Sequence, residues 1–304
     1  MKVAALDLGS NSFLCLIVEG DKSGIKKVLS DEVKVVRLGQ DVDKTGHLHP
    51  QALARAKECL SEFKNRINLH QVDRILAMAT SATRDAQNAN ELFKIGQDLG
   101  IPIEVIRGED EARITFAGAT AGEIKGPGNV AIIDVGGGST EFIVGNSEKI
   151  HFAKSLNIGA VRLTERFIKS QPLPSDEKNA LEEFVAEQID IVIPEISKYI
   201  IEEVVAVAGT PTALAAAILG KFDSGKIQGF VLDEPTLQKW CDLFANSSVQ
   251  ERIDKFGLEP GRADVIFAGT VILHRFLVQS KRPSMKVSIK GVRYGVALEA
   301  LSRG

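Results

Sequence analysis

The chain has 304 residues, 44% of them hydrophobic and 25% charged, an ordinary balance for a globular protein able to bury a large core. Its 37 basic and 40 acidic residues leave a net charge of −3 and a pI of about 6.0, which excludes a general nucleic-acid-binding or anionic-membrane surface. Cys15, Cys59 and Cys241 are odd in number and far apart, which suits a reducing compartment and offers no metal-ligand spacing.

The length predicts roughly two domains. The first apolar run reaches Asp7 too soon for a signal-peptide core, and no apolar stretch approaches the roughly 20 residues of a membrane helix. The expected location is cytoplasmic. Val3 to Leu8 and Phe13 to Val18 are apolar runs joined by Gly9-Ser10-Asn11-Ser12, the pattern of a β-hairpin with a tight, polar loop. Ile25 to Val36 reads as a third strand, and Arg37 to Pro50 as a loop. His47 and His49 in that loop lack a third ligand, so they read as solvated side chains. Gln51 to Ile67 is helical by the 3.6 period of Leu53, Ala56, Leu60, Phe63 and Ile67.

Val72 to Ala79 is a strand that runs into Thr80-Ser81-Ala82-Thr83-Arg84, the start of a helix carried on to Leu99. Its hydroxyls suit N-capping, and with Arg84 they also suit an anion site. After a short strand at Ile103 to Ile106, acidic residues 109–111 open another helix and favour its dipole. Glu111, Ile114, Thr115 and Gly118 share one face of it, which sets a carboxylate on an apolar, small-residue surface. Gly126-Pro127-Gly128 breaks the pattern and marks the expected boundary between a domain of residues 1–124 and one of residues 125–304.

The opening pattern then recurs. Val130 to Val135, a glycine turn, Glu141 to Val144 and Lys149 to Ser155 repeat the three-strand start. Helices are expected at Ile158 to Ile168 and Asp176 to Ile193, the second ended or kinked by Pro194. Val204 to Ala208 is a strand leading through Gly209-Thr210-Pro211-Thr212 into the helix Ala213 to Leu219. Pro235 to Phe244, Val249 to Phe256 and Ala263 to Val278 are helical, Met285 to Ser288 is a strand, and a terminal helix from Val292 is expected to pack back on the first domain. Two related α/β domains follow, facing one another across a cleft.

The most informative stretch is Ile132 to Val144. Gly136, Gly137 and Gly138 leave no Cβ to repel a ligand, and their N–H groups with Ser139 and Thr140 make a cradle for phosphate oxygens. Asp134 and Glu141 flank the turn with carboxylates suited to Mg²⁺ or to water activation. The alternative is a hairpin whose glycines serve only the turn. Gly220 to Lys226 matches the spacing of a P-loop but is followed by Ile227 and preceded by a helix, so it reads as a solvated loop.

The two turns, Asp7 to Ser12 and Asp134 to Ser139, resemble the phosphate loops of the actin-like phosphotransferase superfamily, which has ribonuclease H-like domains with mixed sheets flanked by helices. The finer resemblance is to the exopolyphosphatase/guanosine pentaphosphate phosphohydrolase family. It is carried by the Asp7 loop, Ala79 to Arg84, Glu109 to Arg113 and Asp134 to Glu141, and continues in Gly209 to Thr212, Arg262 to Asp264 and Ser288 to Gly295. The resemblance implies Mg²⁺-assisted phosphoanhydride hydrolysis, with Glu111 as the catalytic glutamate and further acidic roles for Asp134 and Glu141. Larger members carry an additional helical domain, and this chain looks like the short two-domain form. Where the family commonly has two glycines, this chain has Ala208-Gly209, which is expected to leave the loop intact.

On this reading Ser10, Asn11, Ser12, Ser81, Arg84, Gly136 to Ser139, Gly209 and Thr210 hold phosphate oxygens, and Asp7, Asp134 or Glu141 hold the metal. Glu111 deprotonates water, with Glu141 as the other candidate base. Arg37, Arg113, Arg293, Lys281, Arg282 and Lys286 are candidates to track the rest of a polyanion. The substrate is inorganic polyphosphate or guanosine pentaphosphate (pppGpp), a homodimer is compatible with the family, and neither a nucleic-acid polymer nor a membrane is expected as a partner. A sugar-kinase-like activity and a non-catalytic polyphosphate or nucleotide sensor are the competing readings.

Overall fold

The computed structural model describes residues 1–121 and 128–303. The chain divides into two compact units, Met1–Ala121 with Lys290–Gly304, and Gly122–Ile289. The expected 124/125 boundary lies outside the described residues.

The first unit is built on a five-stranded sheet. β1 (Lys2–Leu8), β2 (Ser12–Asp21) and β3 (Gly24–Val35) form an antiparallel meander, and β4 (Arg74–Ala79) and β5 (Ile103–Val105) add in parallel on the other side of β1. Central β1 is buried on both faces, as its unbroken apolar run requires. Ala4, Leu6 and Leu8 pack toward the helix Pro50–His70, through Leu60 and Phe63. Val3 and Ala5 pack the other way, with Ile114, Val296 and Leu301. Edge strand β3 carries Lys26, Lys27, Glu32 and Lys34, which discourage pairing with another chain.

One expected helix is two. Ser81–Asp85 stops at an extended Ala86, and a second helix runs Ala89–Asp98. Asn88 explains the break. Its side chain accepts from Leu48 N at 2.7 Å and donates to Leu48 O at 3.1 Å, tying the chain to the preceding loop in place of another helical turn.

The second unit repeats the plan. β6 (Asn129–Val135), β7 (Thr140–Gly145) and β8 (Ile150–Leu156) are an antiparallel meander, β9 (Ile201–Val207) joins β6 in parallel, and β11 (Ser284–Val287) joins β9 in parallel. β10 (Val231–Asp233) is an added edge strand, too short to show in the sequence pattern. The sheet order β10-β11-β9-β6-β7-β8 therefore contains the first unit's order β5-β4-β1-β2-β3. Helices Ser175–Asp190 and Ile266–Ser280 share its main core with Phe142, Phe244 and Phe267. Pro194 lies beyond the end of Ser175–Asp190, in the first turn of the short helix Ile193–Ile196.

Candidate active site

The two glycine turns are built alike. β1 pairs with β2 up to Leu8 opposite Phe13, and β6 with β7 up to Val135 opposite Thr140. Each turn is closed by its first glycine: Gly9 N donates to Ser12 O at 3.1 Å, and Gly136 N to Ser139 O at 3.0 Å.

In the second turn three successive carbonyls face the start of the helix Ala160–Phe167. Ala160 N donates to Gly136 O at 2.9 Å, and Val161 N and Arg162 N to Gly137 O at 2.9 and 3.1 Å. Arg162 Nε donates to Gly138 O at 2.8 Å. A trans peptide sets its N–H opposite its C=O. The N–H groups of Gly137, Gly138 and Ser139 are therefore all turned away from the helix, and none meets a protein acceptor among the described residues. Three donors turned to one side of a turn are what an anion requires. The sequence reading missed what holds them: Gly159 and Arg162. A methyl group on Gly159 would lie 2.3 Å from Gly137 O, so the helix reaches the turn only through glycine.

Asp134 and Glu141 stand directly opposite each other on β6 and β7, on the same sheet face, and are 4% and 1% exposed. Like charges in this register destabilise a sheet unless something offsets them. Ser155 Oγ donates to Glu141 Oε1 at 2.7 Å. The pair fits a divalent cation, because Mg²⁺ is commonly held by one or two carboxylates with water and substrate phosphate completing its shell. No group of three or more His, Cys, Asp or Glu placed to hold a metal occurs among the described residues. The repeat is uneven here: Asp7 occupies the place of Asp134 in the first unit, but faces Leu14.

β9 runs beside β6 with Val207 opposite Asp134, so Ala208, Gly209 and Thr210 leave the sheet next to the glycine turn. The helix begins at Gly209 rather than at Ala213, and a methyl group on Gly209 would fall on the Arg262 guanidinium. Arg262 belongs to a segment fixed by Arg252, which is fully buried and donates to Ala263 O at 2.8 Å, to Ser247 Oγ at 3.1 Å and to Phe244 O. Burial pulls the Arg252 pKa down to about 10.

In the first unit, the turn and the segment after β4 meet through hydroxyls. Ser10 Oγ and Ser81 Oγ share a hydrogen bond of 2.9 Å, and Ser10 Oγ accepts from Ala82 N at 3.1 Å. Ser81 thus binds the turn, while Thr80, at the N-cap, makes no side-chain cap. Arg84 Nη1 donates to Ile106 O at 2.8 Å and lies 3.4 Å from Glu111 Oε2. Glu111 is 6% exposed, and the rest of its helical face, Ile114 and Gly118, packs on the terminal helix Val292–Ser302 of the same unit. Asn11 O accepts from Val36 N and Arg37 N at 2.9 and 2.7 Å.

Other candidates fall away from these groups. His49 caps the helix Pro50–His70 by accepting from Gln51 N. The P-loop-like Gly220 ends a helix, and Asp223 caps the four-residue helix that follows. All three cysteines are buried, and burial pushes the Cys15 and Cys59 thiols up to about 12, so they are chemically quiet.

A model of the Ppx/GppA phosphatase family matches residues 16–303. Exopolyphosphatase 2 of Mycobacterium tuberculosis is 31% identical, over 98% of this chain and 98% of its own length. The crystal structure of the Aquifex aeolicus Ppx/GppA family member covers 100% of this chain and 98% of its own, at 32% identity and a TM-score of 0.81. An exopolyphosphatase from Cytophaga hutchinsonii covers 100% of this chain and 98% of its own, at 26% identity and a TM-score of 0.91. The two mixed sheets flanked by helices bear out the α/β class expected from the sequence, and these solved relatives share the fold. The chain belongs to the Ppx/GppA phosphatase family and is, by class, a phosphoanhydride hydrolase.

Proposed function

We propose that the protein is an exopolyphosphatase, removing terminal orthophosphate from inorganic polyphosphate. The observation that carries the reading is the second glycine turn, whose three like-directed N–H groups adjoin the opposed carboxylates Asp134 and Glu141. The family's name and the M. tuberculosis relative support the substrate class.

Gly137, Gly138 and Ser139 bind the oxygens of the terminal phosphoryl group, with Gly136, Gly209 and Thr210 framing that site. Asp134 and Glu141 hold Mg²⁺, with Asp7 as a further carboxylate for it. Bound there, Mg²⁺ supplies positive charge to offset that of the phosphate oxygens. Ser10, Asn11, Ser12 and Ser81 contribute polar groups to phosphate, and Arg84 adds a guanidinium. Glu111 is the base that orients the attacking water and takes its proton, with the Arg84 guanidinium 3.4 Å from its Oε2.

The test is phosphate release from tripolyphosphate, longer polyphosphate, pppGpp and ATP by the purified protein with Mg²⁺. Glu111→Gln is expected to lose about 10²–10⁴ in kcat while still binding tripolyphosphate, since a general base contributes on that order. Near wild-type turnover in that variant removes Glu111 from the role and leaves Glu141 as the base to examine. Faster turnover of pppGpp than of polyphosphate reassigns the substrate.

A further inference from the structure

The three carbonyls of the second turn are not held equally. Gly136 O and Gly137 O accept from main-chain N–H groups, which residues of most kinds at 160–162 would supply. Gly138 O accepts from a side chain, Arg162 Nε. The first turn differs at the equivalent position, where Asn11 O has two main-chain donors, Val36 N and Arg37 N. Among the described residues, one hydrogen bond of one side chain therefore sets the peptide that joins Gly138 to Ser139.

That peptide is the one most easily turned over. Glycine opposes few rotations of its own ψ, so the Gly138–Ser139 unit can flip with little steric cost on its N-terminal side. Flipped, it withdraws the Ser139 N–H and turns Gly138 O toward the side that the three donors face. A carbonyl oxygen there repels the phosphate oxygen that the amide attracts. We propose that Arg162 is a positioning residue that locks this peptide, keeping Ser139 N–H directed at the bound phosphoryl group. The inference rests on the phosphatase reading of the turn. Arginine suits the task because Nε–H is part of a rigid plane set back from the tip, and its charge strengthens the bond to a carbonyl. Lysine carries the charge on a tetrahedral ammonium with no equivalent of Nε–H.

The experiment compares wild type with Arg162→Met and Arg162→Lys, using tripolyphosphate with Mg²⁺ as the probe. Expected is a rise in KM of roughly tenfold to a hundredfold for both variants, the range for losing one hydrogen bond to a charged group. A smaller change in kcat and a nearly constant Tm are also expected. Crystals of Arg162→Met should show the Gly138–Ser139 peptide flipped or in two orientations. Equal KM in all three proteins overturns the lock. So does a KM restored by lysine with the peptide unmoved, which would make Arg162 a direct charge contact. If wild type neither binds nor hydrolyses tripolyphosphate, the phosphatase reading fails, and the peptide orientation in the variant still decides whether Arg162 is a lock. Should Arg162→Met fail to fold, Arg162→Lys carries the same structural and kinetic readouts.

Discussion

Ala208 has φ 79° and ψ −165°, a backbone conformation essentially reserved for glycine. The sequence shows alanine where two adjacent glycines are common in the family, and that alanine takes up the glycine-like conformation. Thr212 Oγ1 donates to Ala208 O at 2.9 Å and helps hold it. Such a residue costs on the order of 1–3 kcal/mol, while glycine gives back roughly 0.5–1 kcal/mol in unfolded-state entropy. Ala208→Gly is therefore expected to stabilise the protein by about 1 kcal/mol, the difference between those two ranges, visible as a Tm higher by a few degrees. A lower denaturant midpoint in that variant would mean that alanine is not strained there. The position directly precedes Gly209, where the helix starts beside the glycine turn.

At the level of elements, the helix that carries Glu111 is placed by backbone contact. A methyl group on Gly118 would lie 2.2 Å from Gly291 O, and one on Gly295 would lie 1.9 Å from Ile114 O, so Gly108–Thr120 and Val292–Ser302 touch main chain to main chain. Gly295→Ala must push the two helices apart. Overpacking of this kind costs roughly 1–3 kcal/mol, and here it also shifts Glu111 relative to Arg84. The expected result is a lower Tm together with a fall in kcat larger than the change in KM for tripolyphosphate. A fall in Tm with unaltered kcat would show that Glu111 tolerates the shift. The sequence made Glu111 and the Gly118 face visible through their spacing, and it made the longer strands visible as apolar runs bounded by glycine turns. It gave no sign that Gly295 was the partner, because a contact between residues 114 and 295 has no local pattern. Arg162 and Gly159 escaped for the same reason: their function is a hydrogen bond and a close approach to a turn some 20 residues earlier. The break at Ala86 escaped because Asn88 satisfies a loop 40 residues away.

Across the whole molecule, the sheet order shows one plan used twice and then made unequal. Asp7 and Asp134 hold matching positions, but the second unit sets a glutamate opposite its aspartate where the first has Leu14, and an arginine side chain holds the Gly138 carbonyl of its turn. On the proposed reading the second unit therefore carries the phosphate-binding turn and the carboxylate pair for the cation, and the first the arginine–glutamate pair. The basic residues expected to follow a long polyanion are largely engaged within their own units. Arg293 makes a two-pronged contact with Asp31 at 2.8 and 3.0 Å, and Arg113 lies 3.5 Å from Glu299. Arg282 donates to Ile201 O, and Lys286 pairs with Glu203. A net charge of −3 adds no long-range pull on a polymer. If recognition is confined to the terminal phosphates, kcat/KM per chain end should be similar for tripolyphosphate and for a polymer of many tens of units, within about tenfold, which is 1.4 kcal/mol. Added salt should then weaken both to the same shallow degree, because the salt slope scales with the number of phosphates neutralised. A polymer preferred a hundredfold, with a slope several times steeper than that of tripolyphosphate, would require an extended basic track, and the pairings of Arg113, Arg293 and Lys286 would then have to open on binding.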